Sequence, residues 1–115
     1  MSLDVWLTIE VDTGGKEKHT VELFDANITH NLGEMADMAG IYEACWHPER
    51  IGAVVAGDIV KQLEHGLCML KCFPNFYSMF DSPNGWGLYK NLVPWVERYL
   101  EACKAHPNAT IGVSV

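Results

Sequence analysis

The sequence is poor in positive charge. It has eight lysines and arginines against fifteen aspartates and glutamates, which gives a net charge of −7 at pH 7. Such a chain gains little from counterion release at a phosphate backbone, so we expect no duplex nucleic acid among its partners. The same charge disfavours an anionic membrane surface, and no apolar run is long enough to cross a bilayer. We therefore expect no membrane partner.

The N-terminus lacks a basic region and a cleavage site, so the sequence predicts a cytoplasmic protein. None of the four cysteines belongs to a C-x-x-C pair, and all have apolar neighbours: Cys45, Cys68, Cys72 and Cys103. This pattern favours buried, reduced thiols over a disulfide framework. His65 is spaced for one helical face with Cys68 and Cys72, but zinc needs about four ligands and no fourth is evident. We predict no metal and no cofactor.

Motifs for catalysis are also missing. There is no G-x-S-x-G, no Walker loop, no dinucleotide-binding fingerprint and no H-E-x-x-H. Carboxylates are plentiful, but no pair is marked out by its spacing for acid–base work. The sequence thus predicts no catalytic residues, with His30 and His47 as the weakly supported candidates for a general base.

Hydrophobic residues make up 49% of the 115 residues, which is typical of one globular domain over the whole chain, 1–115. Apolar residues alternate over 5–11 and again over 20–24, with turn residues at 12–15 between them. This pattern predicts an antiparallel hairpin, in which Trp6 and Phe24 lie on the face opposite the main apolar set. A third alternating run at 111–115 predicts a strand that extends the hairpin to three strands.

Helical spacing fills the rest of the chain. A short helix is predicted over 32–39, a further short piece over 41–46, a long helix over about 56–72 and a last one over 88–105, with a kink or restart at Pro94. The predicted fold class is α+β: a small antiparallel three-stranded sheet with three to four helices packed on one face.

The densest uncharged polar stretch is Asn27, Thr29, His30 and Asn31, where a strand gives way to a helix. Exposed N–H groups at a helix start suit an anion. The alternative is a capping and turn network that satisfies only the local backbone.

Two aromatic clusters accompany this stretch. Tyr42 and Trp46 are four residues apart, close to Arg50, and a ring beside a guanidinium suits a nucleotide or another planar anion. Trp86 lies between two glycines and is followed by Tyr89. This pattern is typical of a ligand wall or of a tight turn anchored by a buried ring, and the tight turn is the favoured reading. For Trp46, a place in the core is the stronger reading of the residue alone.

These residues also carry a resemblance. Asn27-Ile-Thr-His-Asn-Leu-Gly33, Met35-Ala36, Ala39-Gly-Ile-Tyr-Glu-Ala44 and Trp46 resemble a family of small proteins encoded by phages, prophages and their bacterial hosts. The resemblance extends to Asn84-Gly-Trp-Gly87 with Tyr89 and to Tyr99-Leu-Glu-Ala-Cys103, which takes in most of the chain. The family pattern has arginine where this chain has His47, which weakens any role that rests on a cation there.

Small phage proteins often counter host defences, some as sponges for a nucleotide immune signal and others as inhibitors of a defence protein. By this association the resemblance implies an anti-defence protein. We expect a non-enzymatic protein that binds and sequesters a nucleotide-derived small molecule, with nine ligand-binding residues: Asn27, Thr29, His30, Asn31, Tyr42, Trp46, Arg50, Trp86 and Tyr89. The alternatives are a protein–protein inhibitor of a host defence protein and, third, a small hydrolase. Exposed sheet edges predict a homo-oligomer, most simply a dimer.

Overall fold

A three-stranded antiparallel sheet forms one layer of the molecule. The computed structural model describes residues 2–115, in which β1 (Ser2–Val11), β2 (His19–Thr29) and β3 (Thr110–Ser114) are arranged in the order β2-β1-β3. Both neighbours pair antiparallel with β1, from Ser2 opposite Thr29 along β2 and from Asp4 opposite Ser114 along β3. The sheet predicted from the alternating runs is confirmed.

Five α-helices lie between β2 and β3: α1 (Gly33–Met38), α2 (Tyr42–Trp46), α3 (Val60–Cys72), α4 (Pro74–Ser78) and α5 (Tyr89–Ala105). Short 3₁₀ helices precede α1 at His30–Leu32, follow α2 at Pro48–Ile51 and lead into α3 at Ala56–Ile59. The helices pack on the sheet, so the α+β class is confirmed. No helix within residues 2–115 combines the length and the apolar character needed to cross a membrane.

Helix α5 is continuous through Pro94, so the restart predicted there is wrong. Proline removes one backbone N–H, whose partner in an α-helix is the carbonyl four residues earlier, here that of Lys90. This loss falls near the beginning of the helix, where few intrahelical bonds have yet formed. Leu92, Trp95 and Tyr99 are buried and hold the helix on the sheet.

The core side of the sheet begins with Leu3, Val5 and Leu7, all of which are fully buried. Farther along the hairpin, Ile9, Val11 and Val21 have the same orientation in the pleat but are exposed. The helices therefore cover the half of the hairpin nearest the chain termini, and the polar stretch at the end of β2 lies at this covered end.

Phe24 does not have the predicted orientation, because β2 contains a β-bulge. Leu7 pairs with Phe24 and Thr8 pairs with Glu22, so Leu23 is the extra residue on β2. An extra residue reverses the alternation of the strand beyond it. Phe24 therefore faces the helices, where its ring stacks on Tyr99 at 5.9 Å between centroids, and it does not share a face with Trp6.

The cysteines divide into two pairs. Cys45 and Cys103 are buried as predicted, whereas Cys68 and Cys72 are exposed on α3, so the prediction that all four are buried is wrong for these two. The buried stripe of α3 consists of Leu63, Gly66 and Leu70. Cys68 and Cys72 lie outside this stripe, because the helix turns about 100° with each residue.

Candidate functional site

A large cleft lies at the end of the sheet where β2 passes into the helices. Its volume is about 910 Å³, which is within the range of small-molecule sites. Eight residues line it: Ser2, Asn27, Thr29, His30, Asn31, Asn84, Trp86 and Val115. We call it the amide cleft, because three of the lining side chains are asparagines.

The two walls of the amide cleft touch at Gly87. A Cβ atom on this residue would lie 2.8 Å from Asn31 Cβ and 3.0 Å from the backbone C and O atoms of Asn31. Atoms of a real side chain do not approach so closely, so only glycine fits between the walls. This contact holds the turn that carries Trp86 against the turn that carries His30 and Asn31.

Asn84 shapes the second wall through its side chain. Its Oδ1 atom accepts hydrogen bonds from the Ser82 hydroxyl at 2.7 Å and from the Trp86 backbone N–H at 2.9 Å. Gly85, with φ of 76°, takes the left-handed conformation that closes this turn. The turn leaves the Trp86 side chain 70% exposed, so its ring is available to a ligand.

The asparagines on the two walls have complementary hydrogen-bonding capacity. Asn27 Nδ2 donates to Ser2 Oγ at 3.0 Å and to Asp4 Oδ1 at 2.7 Å, which leaves its carbonyl oxygen as an acceptor. Both described bonds of the Asn84 side chain use Oδ1, which leaves its NH₂ group as a donor. The cleft therefore offers a donor on one wall and an acceptor on the other.

His30 also lines the cleft, and a hydrogen bond to Trp46 fixes the tautomer of its ring. The Trp46 indole Nε1–H, which can only donate, lies 2.9 Å from His30 Nδ1. Nδ1 must therefore be unprotonated, and the proton of the neutral ring is on Nε2. This Nε2–H is buried and has no hydrogen-bond partner within residues 2–115. In this tautomer His30 has no free lone pair with which to act as a general base.

Trp46 supports the site from behind. Its side chain is 2% exposed, so its ring cannot stack on a ligand, and the predicted contact role is wrong for this residue. Tyr42 stacks on the buried indole at 5.3 Å between centroids, with only 12° between the ring planes. Trp46 therefore acts by fixing the His30 ring and its tautomer.

Tyr42 and Arg50 line a different depression of about 470 Å³, together with Gly33 and three carboxylates, Glu34, Asp37 and Glu43. The carboxylates outnumber the guanidinium, so this surface does not favour an anion. In this region a hydrogen bond joins His47 Nδ1 and Glu49 Oε1 at 3.1 Å. The Glu49 pKa is held below its usual value, first by the Glu49 backbone N–H and then by His47.

Tyr89 also lies outside the amide cleft. Its hydroxyl donates to the Leu70 carbonyl at 2.6 Å, which ties the beginning of α5 to α3, and its backbone N–H donates to Asp81 Oδ1 at 2.6 Å. Of the nine predicted ligand-binding residues, the structure brings five together in the amide cleft: Asn27, Thr29, His30, Asn31 and Trp86.

The predicted anion site at the helix start is not free. The Asn31 backbone N–H donates to Thr29 Oγ1 at 3.3 Å, and a 3₁₀ helix of only three residues follows. No charged side chain is among the residues that line the amide cleft. The lining side chains are therefore neutral: amides, an imidazole, hydroxyls, the apolar Val115 and one exposed indole.

Sequence reasoning did not select Ser2 and Val115, and it named Asn84 only as part of the turn. The hairpin register places Ser2 opposite Thr29. The bulge at Leu23 shifts this register by one residue, so counting outward from the turn at 12–15 would not have found the pair. The signal for Asn84 was available, because Asn-Gly before a ring is a strong indication of a turn.

On the outer side of the sheet, Trp6 lies against Gly112, where a Cβ atom would overlap with its indole. Beside it is a shallow depression of about 330 Å³ with three carboxylates, Asp4, Glu22 and Asp25. Trp6 is half-buried by this packing, so its ring is less available than that of Trp86.

No group of three or more metal-binding side chains comes together within residues 2–115. The amide cleft thus stands out by its size, its neutral polar lining and its exposed indole. The chain matches no protein-family model, no curated protein and no solved structure.

Proposed function

We propose that the chain binds a nucleotide-derived small molecule in the amide cleft, through the nucleoside part of the ligand, and releases it unchanged. The observation that carries this proposal is the lining itself. A donor from Asn84 and an acceptor from Asn27 flank an exposed indole, with no charged side chain among the lining residues. A purine or pyrimidine presents a flat face for stacking and an edge of donors and acceptors.

The buried N–H of His30 has no acceptor, which costs about 1–3 kcal/mol. A ligand acceptor recovers this free energy only if the His30 ring turns Nε2 toward the cleft. Phosphate groups, in contrast, find no lysine or arginine among the lining residues. The ligand would therefore be oriented with its base or ribose inside and any phosphate toward solvent.

Binding without turnover is supported by the tautomer of His30, which has no lone pair free to take a proton. The resemblance to phage and prophage proteins gives this binding a physiological setting. In it the chain is a sponge in the host cytoplasm that lowers the free concentration of a nucleotide immune signal.

A thermal-shift and calorimetric screen tests the proposal, using matched pairs of nucleosides and nucleotides, cyclic dinucleotides and ADP-ribose. A ligand at about a hundred times its Kd adds about 2.7 kcal/mol to the stability of the protein. We expect a nucleoside and its nucleotide to bind with affinities within a few-fold of each other. Affinity should depend little on salt, because no ion pair forms in the cleft.

Two results would contradict the proposal. Failure of every compound to shift the melting temperature would exclude this ligand class. Recovery of a cleaved product after denaturing the complex would make the chain an enzyme, which is the hydrolase alternative.

A protein–protein inhibitor remains the second candidate, because Trp6 and three carboxylates form a surface suited to a basic partner. Charge reversal of Asp25 should abolish partner capture in that case and leave ligand binding unchanged.

A further inference from the structure

The two exposed cysteines of α3 form a pair. Cys68 and Cys72 are one helical turn apart, and their Sγ atoms lie 3.9 Å from each other. The other two cysteines are buried, and burial raises the pKa of the Cys103 thiol to about 12. Only the thiols of α3 are therefore accessible to a metal ion or a reagent.

The separation of the two sulfur atoms fits a tetrahedral metal. Zinc binds thiolates at about 2.3 Å with tetrahedral angles, which places neighbouring sulfur ligands about 3.8 Å apart. A disulfide fits less well, because residues four apart on a helix have Cβ atoms about 5–6 Å apart and a disulfide needs about 3.5–4.5 Å. The intact helix therefore presents two thiols to a metal without cross-linking them.

The pair supplies half of a structural zinc site, which has four protein ligands. No third metal-binding side chain joins it within residues 2–115, although His65 is exposed on the same helix one turn before Cys68. Two further thiolates must come from another molecule. A second copy of the same chain offers an identical pair, and a two-fold axis through the metal relates the two pairs.

Charge repulsion should oppose the approach of a second copy less at the surface around this pair than elsewhere on the acidic chain. Two nearby lysines are matched by carboxylates, Lys71 with Glu97 at 3.4 Å and Lys104 with Glu64 at 4.0 Å. Phe73 follows Cys72 directly and is 52% exposed. A surface whose charges are balanced, with the Phe73 ring beside the thiols, can approach a second copy with little charge repulsion.

We propose that Cys68 and Cys72 form a zinc half-site that is completed by the same two cysteines of a second copy, so that one zinc ion joins two chains. Binding releases the thiol protons to solvent, because zinc takes thiolates. The proposed half-site shares no residue with the amide cleft, since none of the residues that line the cleft belongs to α3.

The experiment loads metal-free protein with zinc and measures the bound metal by elemental analysis and the mass by light scattering. We expect about 0.5 zinc per chain, from four thiolates shared by two chains, and a dimer that a chelator returns to monomer. Cobalt in place of zinc should give the absorption of a tetrahedral tetrathiolate site. Cys68→Ser and Cys72→Ser should each lose the metal and the dimer. His65→Ala is the matched control and should keep both.

Three results would overturn the proposal: a chain that retains no zinc, one zinc per chain at monomer mass, or a dimer that persists in the Cys68→Ser variant. Both thiols are exposed, so the serine variants should fold. A circular dichroism spectrum identical to that of the parent protein confirms this in the same samples.

Discussion

Trp46 determines which nitrogen of His30 carries the proton. The indole donates to Nδ1 at 2.9 Å, and the remaining N–H on Nε2 belongs to a ring that lines the amide cleft. A buried side chain thus controls the hydrogen-bonding character of a residue on the cleft surface. This relationship distinguishes a binding role for His30 from a role as a base.

The tautomer of His30 can be observed directly. Long-range ¹H–¹⁵N spectra of the protein should show His30 with a bare Nδ1 and a protonated Nε2, because the Trp46 N–H occupies the Nδ1 lone pair. The Trp46→Phe variant keeps an aromatic ring beside Tyr42 but removes the donor, so His30 should then show a mixture of tautomers. A protonated Nδ1 in the parent protein would contradict the assignment.

Replacement of Trp46 by alanine should be severe. The side chain is 2% exposed, and truncation of a buried aromatic residue costs about 3–5 kcal/mol. Chemical denaturation should report this loss as a lower midpoint. Trp86→Ala is the matched control: it removes the same side chain from a position that is 70% exposed, so it should leave the midpoint almost unchanged. Equal losses in the two variants would mean that the cleft wall depends on Trp86 for its stability.

Trp86→Ala should instead weaken ligand binding. Loss of a stacking ring costs about 1–3 kcal/mol, which is roughly a tenfold to hundredfold increase in Kd. Calorimetry with whichever nucleoside binds the parent protein measures this change. Arg50→Ala is the control, because Arg50 lines a different depression and its loss should not alter the Kd. Weaker binding in Arg50→Ala, with Trp86→Ala unaffected, would move the site to that depression.

Gly66→Ala should destabilise the protein, although alanine is the better helix former by about 1 kcal/mol. Gly66 lies in the middle of α3, where a Cβ atom would overlap with Ile41 Cγ2 and lie 3.2 Å from the Ala39 carbonyl oxygen. Overpacking of this kind costs about 1–3 kcal/mol. A double-mutant cycle with Ile41→Ala should show favourable coupling, because the smaller side chain makes room. A higher melting temperature for Gly66→Ala alone would contradict this prediction, because it would mean that α3 moves away from Ile41 without loss of stability.

Asp58 lies in the 3₁₀ helix that leads into α3 and makes the stability of the protein dependent on pH. Its carboxylate accepts hydrogen bonds from the Val54 N–H at 2.9 Å and the Val55 N–H at 3.1 Å, and these two bonds hold its pKa below the usual value. A lowered pKa in the folded state adds stability that is present above the unfolded pKa of about 3.9 and is lost as the pH falls through the lower folded pKa.

The Asp58→Asn variant should therefore melt below the parent protein at about pH 6, and the difference should shrink as the pH falls below the unfolded pKa of about 3.9 toward the lower folded pKa. Thermal melts over this range measure the effect. Asp37→Asn changes an exposed aspartate on α1 and is the matched control. A difference between Asp58→Asn and the parent protein that is the same at every pH would exclude the carboxylate bonds as its cause.

The sequence patterns predicted the hairpin, the third strand and the two long helices, because period-two and helical spacing directly reflect which side chains are buried. The bulge at Leu23 was not predicted, since a single extra residue leaves the local pattern intact and becomes favourable only when Phe24 reaches Tyr99 on α5. Cys68 and Cys72 were misjudged from their apolar neighbours. Their angular distance from Leu63 and Leu70 would have placed them on the solvent side.

The candidate site could be predicted only in part, for a physical reason. Asn27 to Asn31 stood out as a polar stretch, but the wall that faces it comes from a turn more than fifty residues later in the chain. The two segments meet in the folded chain, where Gly87 packs on Asn31. From the sequence, both Trp46 and Trp86 were candidates for contact with a ligand. Their burial distinguishes them, because Trp46 is buried and supports the cleft, whereas Trp86 is exposed and faces it.

The contact of Gly87 with Asn31 implies a pattern of variation among any proteins that share this cleft. Position 87 has no space for a side chain, so it should remain glycine in every lineage that keeps the cleft. Position 86 projects outward and places no demand on packing, so its side chain is free to diverge with the molecule that each lineage captures. Position 86 would then vary whenever the ligand changes, whereas position 87 would stay constant for as long as the cleft is kept.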